Sequence, residues 1–248
     1  MARFPTFPLN RFPRRPALLA AGLAIAAWAL AACSGGSDGG NGQPGPGGNL
    51  FVNPGFENGS DPWFSLAKDA SFVRAEELSH GGKASAHLQM RDALPDSGHK
   101  VYYLVQEITP QSFPDVVRGY YRVENWRHGT RKQYLQFVVI VFGGSTLPTG
   151  ASNYQIRYLL AGIDSPPFPI GNAHFVFIGK NDPAEGEWVP FQANVKDDFV
   201  RLWGGVPAGF DKIRVLFEVR WDDKVAGDGE PQADVYYDDL YIGKPGGD

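Results

Sequence analysis

Residues 212–221, KIRVLFEVRW, decide the fold class because apolar side chains recur there at every second position. One face of an extended chain would carry Ile213, Val215, Phe217, Val219 and Trp221. The opposite face would be more polar, since neighbouring side chains of a strand point to opposite sides. This period of two is the pattern of a strand that buries one face. The segment therefore predicts a half-buried strand of an antiparallel sheet.

Further segments on both sides of this strand have the composition of strands. They are rich in aromatic and β-branched residues, and they end at Gly, Pro, Asn or Asp. They cover residues 118–124, 133–142, 154–160, 173–178, 188–195 and 234–242. Helical periodicity is scarce, with one or two turns expected within residues 69–78. Many strands without alternating helices predict an all-β protein, an antiparallel β-sandwich or jelly roll.

The chain divides into a leader, a linker and one domain. Residues 34–48, SGGSDGGNGQPGPGG, contain no apolar residue larger than proline, so they cannot bury a core and predict a flexible tether. From Asn49 to Ile242 no second linker and no repeat interrupts the pattern. We therefore expect a single domain over residues 49–248, preceded by a tether at residues 33–48.

The first 32 residues have the form of a secretory signal peptide. Four arginines precede an apolar stretch at residues 17–32, which is short for a membrane span of about 20 residues. The stretch ends in LAAC at residues 30–33, which resembles the lipobox of bacterial lipoproteins, and this resemblance implies acylation of Cys33. Ser34 then implies the outer membrane. The alternatives are a short membrane anchor, or an ordinary cleavage site beside a chance cysteine.

The charge balance excludes several classes of partner. The chain holds 23 Lys and Arg against 27 Asp and Glu, and removal of the leader would remove only basic side chains. A nucleic-acid-binding protein needs a basic surface, and so does a protein that docks on anionic lipid. We therefore expect no nucleic acid partner, and contact with the membrane through the lipid anchor only.

No pattern of residues indicates an enzyme. The single cysteine is assigned to the lipid, which leaves no disulfide, catalytic thiol or Cys-ligated zinc. The five histidines lack metal-ligand spacing, and neither a nucleophile elbow nor a phosphate-binding loop is present. Acid pairs such as Glu76-Glu77 and Asp222-Asp223 are adjacent in sequence and would point to opposite faces of a strand. Two acids distant in sequence remain an open alternative.

Four motifs follow one another in the order found in a known superfamily. They are NLFVNPGFE at residues 49–57 with Trp63 after it, HGGKASAHL at residues 80–88, GEWVPF at residues 186–191 and VYYDDLYI at residues 235–242. Together they resemble the galactose-binding-like jelly rolls, particularly carbohydrate-binding modules of families four, nine and twenty-two. The resemblance implies a jelly-roll fold and non-catalytic binding of a polysaccharide or other glycan.

The same resemblance implies a calcium ion near the two ends of the domain. The first and last strands of an antiparallel jelly roll can lie side by side, which would bring Glu57 and Asp238 together. Two adjacent carboxylates are costly without a cation, and calcium prefers oxygen ligands in flexible geometry. We expect Glu57 and Asp238 as ligands, with Asp239 as the reserve.

Aromatic side chains are the best candidates for a sugar-binding site, because binding sites combine apolar surface with a few polar anchors. Trp63, Trp188 and Trp221 are assigned to the core. The remaining tryptophans of the domain, Trp126 and Trp203, are therefore expected to be exposed. The further candidates for ligand contact are Tyr120, Arg122, Gln136 and Tyr158, the last two on one sheet face.

Three functions are consistent with these features. The first is a non-catalytic polysaccharide-binding protein, lipid-anchored at the outer membrane. The second is a structural or interaction lipoprotein that uses the same jelly roll to bind a protein partner of the cell envelope. The third is a polysaccharide lyase or hydrolase, which the missing catalytic pattern disfavours.

Overall fold

The computed structural model describes residues 48–91, 98–145 and 151–246. The expected signal peptide, Cys33 and all but the last residue of the tether lie outside this part of the chain. The strands are β1 (Phe72–Ala75), β2 (Ser85–Arg91), β3 (Gly98–Ile108), β4 (Val116–Arg127), β5 (Lys132–Ser145), β6 (Asn153–Ala161), β7 (Phe168–Ile170), β8 (Ala173–Phe177), β9 (Trp188–Ala193), β10 (Ala208–Lys224) and β11 (Gln232–Gly243). The helix α1 spans Val195–Trp203, and a single 3₁₀ turn spans Lys68–Ala70.

The strands form two sheets that pack face to face. One has the order β1-β2-β11-β4-β9 and the other the order β3-β10-β5-β6-β8-β7. All pairs are antiparallel except β6 with β8, which run parallel. The all-β jelly-roll sandwich expected from the sequence is confirmed. Within the described residues, no helix is long and apolar enough to cross a membrane.

The core between the sheets is rich in aromatic rings. The ring of Phe217 on β10 lies 5.3 Å from that of Tyr237 on β11 and 6.0 Å from that of Phe191 on β9. These contacts join the two layers, because β10 belongs to one sheet while β9 and β11 belong to the other. Trp63 and Trp221 are also buried, as expected. The inward-facing residues of β10 are those that its period of two identifies.

The outward face of β10 differs from the expectation. A half-buried strand should expose this face, but Leu216, Glu218 and Arg220 are at most 7% exposed. The strand lies between β3 and β5 within its sheet, so side chains of two neighbouring strands flank this face on both sides. The period of two is therefore right about direction, whereas the expectation of a solvated second face is wrong.

The two ends of the domain lie against each other. The backbone N–H of Leu50 donates to the carbonyl of Ile242 at 2.8 Å. The side chain of Asn49 donates to the carbonyl of Leu240 and accepts from the N–H of Ile242. Asn49 is 6% exposed, so its amide satisfies backbone groups that would otherwise be buried without partners. This places the motif at residues 49–57 beside the last strand.

The helix α1 corrects two expectations from the sequence. Residues 188–195 were expected to be one strand, but β9 ends at Ala193 and the helix begins at Val195. Trp203 was expected to be an exposed loop residue, yet it ends this helix and is 9% exposed. Its ring packs edge-on against Tyr154 and His174. The helix stops at Gly204, whose positive φ of 77° suits glycine.

Candidate functional site

Three carboxylates, those of Glu57, Asp238 and Asp239, lie around the loop that precedes β2. We call these three residues, together with residues 80–84, the acidic loop. Glu57 accepts hydrogen bonds from the N–H groups of Lys83 and Ala84 at 2.7 and 3.1 Å. Asp238 accepts from the N–H groups of His80 and Gly81 at 2.8 and 3.1 Å. The two acids therefore bind the same loop, one from the start of the domain and one from its last strand.

Backbone contact requires glycine in this loop. At Gly82 the backbone φ is 63°, and a Cβ atom there would lie 2.2 Å from Oε1 of Glu57. At Gly81 a Cβ atom would lie 2.7 Å from Oδ2 of Asp239. A side chain at either position would displace the carboxylate beside it, so the glycines let the carboxylates lie close to the backbone. The motif HGGK thus has a structural explanation in this protein.

Asp238 is the most deeply buried carboxylate of the acidic loop, with 0% exposure. Burial raises its pKa to about 6, although hydrogen bonds from Asp239, His80 and Gly81 oppose the shift. Asp239 turns away from it at a β-bulge with a positive φ of 48°, and its carboxylate lies 2.6 Å from Nδ1 of His80.

The acidic loop supplies oxygen ligands, but they are already engaged. Among the described residues, no group of three or more His, Cys, Asp or Glu side chains is arranged to hold a metal ion. The carboxylates of Glu57 and Asp238 accept backbone N–H groups instead. Calcium binding stays a prediction that requires them to exchange backbone hydrogen bonds for metal contacts.

A melting experiment tests the calcium prediction. Metal-stripped protein is expected to melt at a higher temperature when calcium is added, because a ligand that binds only the folded state stabilises it by mass action. Glu57→Gln should remove the increase, whereas Glu76→Gln, at an exposed acid outside the acidic loop, should preserve it. Identical melting with and without calcium would leave Glu57 and Asp238 as anchors of the loop alone.

Tyr120 and Arg122 lie on the outer face of the five-stranded sheet, both half-buried. The ring of Tyr120 stacks on His80 with the centroids 3.6 Å apart. Arg122 pairs in register with Trp188 on β9 and binds Glu124. Trp188 was expected in the core, but it is half-buried on this outer face, with its ring 5.7 Å from that of His80. These residues form a partly exposed aromatic surface beside the acidic loop.

The other candidates for ligand contact are dispersed. Trp126 is half-buried and packs against the core, so it is not the freely exposed ring expected. Tyr158 faces the core, stacks on Phe137 and donates to Asp198 of α1 at 3.0 Å, and burial raises its pKa. Gln136 points to the opposite side of the sheet from Tyr158. The expectation that these two share a face is wrong.

Gln136 belongs to a set of polar side chains on the outer side of the six-stranded sheet, which we call the polar face. All of its members are less than 9% exposed. They are Tyr134, Gln136, Gln155, Arg157, Glu218, Arg220 and Asp222. Half-buried rings stand at the two edges of the sheet, with Tyr103 on β3 and Phe168 on β7. Of these residues, only Gln136 was expected from the sequence to contact a ligand.

Ion pairs and hydrogen bonds connect part of the polar face. Arg220 donates to Asp222 at 2.7 Å and lies 3.6 Å from Glu218. Tyr134 donates to the second oxygen of Asp222 at 2.8 Å, and Gln136 donates to Glu218. Desolvation alone would lower the pKa of Arg220, but Tyr134, Asp222 and Glu218 outweigh it and raise that pKa. Arg220 is thus the ionic centre of this face.

Three buried side-chain atoms of the polar face have no hydrogen-bond partner among the residues that the structure describes. They are Oε1 of Gln136, Nε of Arg157 and Nε of Arg220. A buried polar group without a partner costs about 1–3 kcal/mol, so such atoms are rarely left unsatisfied in a purely structural cluster. The polar face therefore offers one acceptor and two donors that a bound molecule could satisfy.

This protein is similar to known proteins in its fold. No protein-family model matches the chain, and no curated protein matches it in sequence. A solved family 61 carbohydrate-binding module in complex with β-1,4-galactotriose is 14% identical, with a TM-score of 0.42 over 78% of this chain and 97% of that chain. The CBM22-1 xylan-binding domain of Paenibacillus barcinonensis Xyn10C is 14% identical, with a TM-score of 0.36 over 76% and 89%.

An enzyme is among the similar structures as well. The Trichoderma harzianum endoglucanase 3 from family GH12 is 8% identical, with a TM-score of 0.33 over 73% of this chain and 97% of that chain. Binding modules and an enzyme thus share this low level of similarity. The ligand of this protein is therefore inferred from its own residues.

Proposed function

We propose that this protein binds a polysaccharide without cleaving it, and that the polar face is the binding site. The observation that carries the proposal is the set of three unpartnered buried atoms on Gln136, Arg157 and Arg220. Sugar hydroxyls both donate and accept hydrogen bonds, so one kind of ligand can satisfy all three atoms. Satisfying them would remove desolvation costs that the free protein bears.

Aromatic rings beside these atoms support the same ligand class. Phe168 stacks on Phe175 with the centroids 4.7 Å apart, and Phe168 stays half-buried at the edge of the sheet. Tyr103 occupies the opposite edge. An apolar ring surface with a few fixed polar groups is the usual composition of a site for a small organic ligand. The C–H faces of a sugar chain would pack on these rings while its hydroxyls reach the polar atoms.

The carboxylates of the polar face support binding rather than hydrolysis. A glycoside hydrolase uses two carboxyl groups, one of which donates a proton to the leaving oxygen. Glu218 and Asp222 are both held by the guanidinium of Arg220, which lies between them. This arrangement suits a structural role for both acids. Incubation with polysaccharide should therefore release no new reducing ends.

Display at the outer membrane through acylated Cys33 is the second part of the proposal. Its support is the apolar leader, the LAAC sequence and Ser34. The Gly-rich residues 34–48 would separate the domain from the lipid surface. A structural or interaction role with a protein partner of the envelope is the alternative if no glycan binds.

Binding to a panel of neutral and acidic polysaccharides tests the site. Gln136→Leu conserves side-chain volume and removes the unpartnered acceptor, so it is expected to weaken binding about tenfold, which corresponds to about 1.4 kcal/mol. The matched variant Gln192→Leu changes an exposed glutamine of the other sheet and should bind like the native protein. Affinity measurements and melting curves on all three proteins separate lost contact from lost folding.

Two outcomes would contradict this assignment. Normal binding by Gln136→Leu together with weakened binding by Tyr120→Ala would move the site to the outer face of the five-stranded sheet. Failure of the native protein to bind any polysaccharide of the panel would reject the proposed function and favour the protein-partner alternative.

A further inference from the structure

Arg157 is a buried cation that forms no direct ion pair with a carboxylate of residues 48–91, 98–145 or 151–246. It is 8% exposed, and its one hydrogen bond within the described residues runs from Nη2 to Oε1 of Gln155 at 2.9 Å. Its Nε is buried and has no partner. Arg220, the other arginine of the polar face, has ion pairs with both Glu218 and Asp222. Both acids of this face lie within ion-pair distance of Arg220, whereas no carboxylate of the described residues forms a direct ion pair with Arg157.

A buried guanidinium without a direct ion pair is energetically costly. Taking a charge out of water without a partner costs several kcal/mol, and arginine does not escape the cost by losing its proton. Desolvation lowers the pKa of Arg157 and outweighs the opposing charges of Glu218 and Asp222. The physical requirement of this position is an anion that contacts the free edge of the guanidinium.

The surroundings of Arg157 indicate what carries that anion. Arg157 on β6 is in register with Phe175 on β8, and its guanidinium lies 5.6 Å from the centre of that ring. Phe175 in turn stacks on Phe168. Phe175 therefore connects the guanidinium to the half-buried ring of Phe168, on which a sugar ring can pack. A carboxylate is planar and accepts two parallel hydrogen bonds from the guanidinium fork, which gives the favoured geometry for this pair.

We propose that Arg157 binds the carboxylate of a uronic acid residue, so that the ligand of the polar face is an acidic polysaccharide. This inference rests on the proposed function, because it names the class of polysaccharide that the same face binds. One arginine without a direct ion pair can bind one negative charge of the ligand. The net charge of −4 of the whole chain provides no general attraction for polyanions, so the selectivity resides in this buried contact.

The experiment compares two forms of one polymer. The purified native protein is titrated with polygalacturonate and with the same polymer after its carboxyl groups have been reduced to neutral hydroxymethyl groups. The native protein is expected to bind the polyuronate at least tenfold more tightly than the reduced form. This comparison requires no variant, so it does not depend on how a substitution affects folding.

Variants then assign the preference to one side chain. Arg157→Met keeps most of the aliphatic stem and removes the charge, so it should lose the tenfold preference while it retains affinity for the reduced polymer. Arg131→Met, at an exposed arginine outside the polar face, should retain the preference. Retention of the preference by Arg157→Met would overturn the assignment.

The remaining outcomes are distinguishable from one another. Equal binding of both polymers by the native protein would overturn the uronate inference and leave polysaccharide binding intact. Binding of neither polymer, nor of any other in the panel, would reject the proposed function itself. Tighter binding of a sulfated galactan than of the polyuronate would assign Arg157 to a sulfate group and overturn the carboxylate assignment.

Discussion

Replacing Asp234 with alanine is expected to lower the free energy of unfolding by about 3 kcal/mol, because it removes one partner of a buried ionic network. Asp234 lies on β11 and is 4% exposed. Both of its oxygens accept hydrogen bonds from Nη2 of Arg91 on β2. Asn125 on β4 and His87 on β2 also bind it, at 2.7 and 2.9 Å. One carboxylate thus connects three neighbouring strands.

The loss should depend on pH in a defined direction. Burial alone would raise the pKa of Asp234, but hydrogen bonds from Arg91, Asn125 and His87 outweigh burial and lower it. A carboxyl group with a lowered folded-state pKa contributes stability that is fully present above its unfolded pKa of about 4. That stability disappears as the pH falls through the folded-state value. The difference between native protein and variant should therefore be constant from pH 7 to 5 and shrink below pH 4.

Urea unfolding at pH 7 and pH 3 measures both effects. Asp234→Asn should cost less than Asp234→Ala, because the amide oxygen still accepts hydrogen bonds. Asp164→Ala is the matched control, since Asp164 is 62% exposed and its pair with Lys180 lies at the surface. Surface pairs contribute about 0–1 kcal/mol. A loss below 1 kcal/mol for Asp234→Ala at pH 7 would contradict the prediction.

Cys33→Ala is expected to abolish labelling of the protein with palmitate and to release it from membranes. The reason is that Cys33 is the only cysteine of the chain and the residue to which the lipobox resemblance assigns the acyl chains. Two membrane signals on one anchor give stable attachment, whereas a single chain would be marginal. Metabolic labelling followed by membrane fractionation measures both losses.

Ser34 supplies the matched variant for this experiment. Ser34→Asp should still be labelled, because the cysteine is intact, but it should fractionate with the inner membrane in a host of the enteric type. Labelling that survives Cys33→Ala would exclude lipidation at this residue and leave the short-anchor alternative.

The local pattern of the sequence predicts the fold better than it predicts the surfaces. The alternation in residues 212–221 identifies the inward face of β10 correctly, because pleating alone fixes which side chains share a face. It does not reveal that Glu218 and Arg220 are buried, since their partners lie on the neighbouring strand or further along their own. The sequence indicated their burial only through the position of these two charged residues within a long apolar strand.

The helix α1 could also be predicted in part from the sequence. Its buried residues Val195, Phe199 and Trp203 recur at every fourth position, which is a helical spacing. The segment is short and directly follows the strand pattern of residues 188–193. Its first residues were therefore assigned to that strand. Trp203 was then assigned to a loop.

The acidic loop illustrates contacts that no local pattern contains. The two ends lie side by side, and Glu57 and Asp238 both contact the loop at residues 80–84. This loop is far from Asp238 along the chain. Only the three-dimensional arrangement shows that backbone N–H groups satisfy both acids.

The pairing of Asn49 and Leu50 with the end of β11 has a mechanical consequence. A pull on the segment before Asn49 enters the molecule at the end of β11, which lies between β2 and β4 in its sheet. A polymer held on the polar face would pull on the other sheet. Tension between the membrane surface and the polymer would therefore cross the ring contacts of Phe217 with Tyr237 and Phe191, so the packing between the sheets would carry the load.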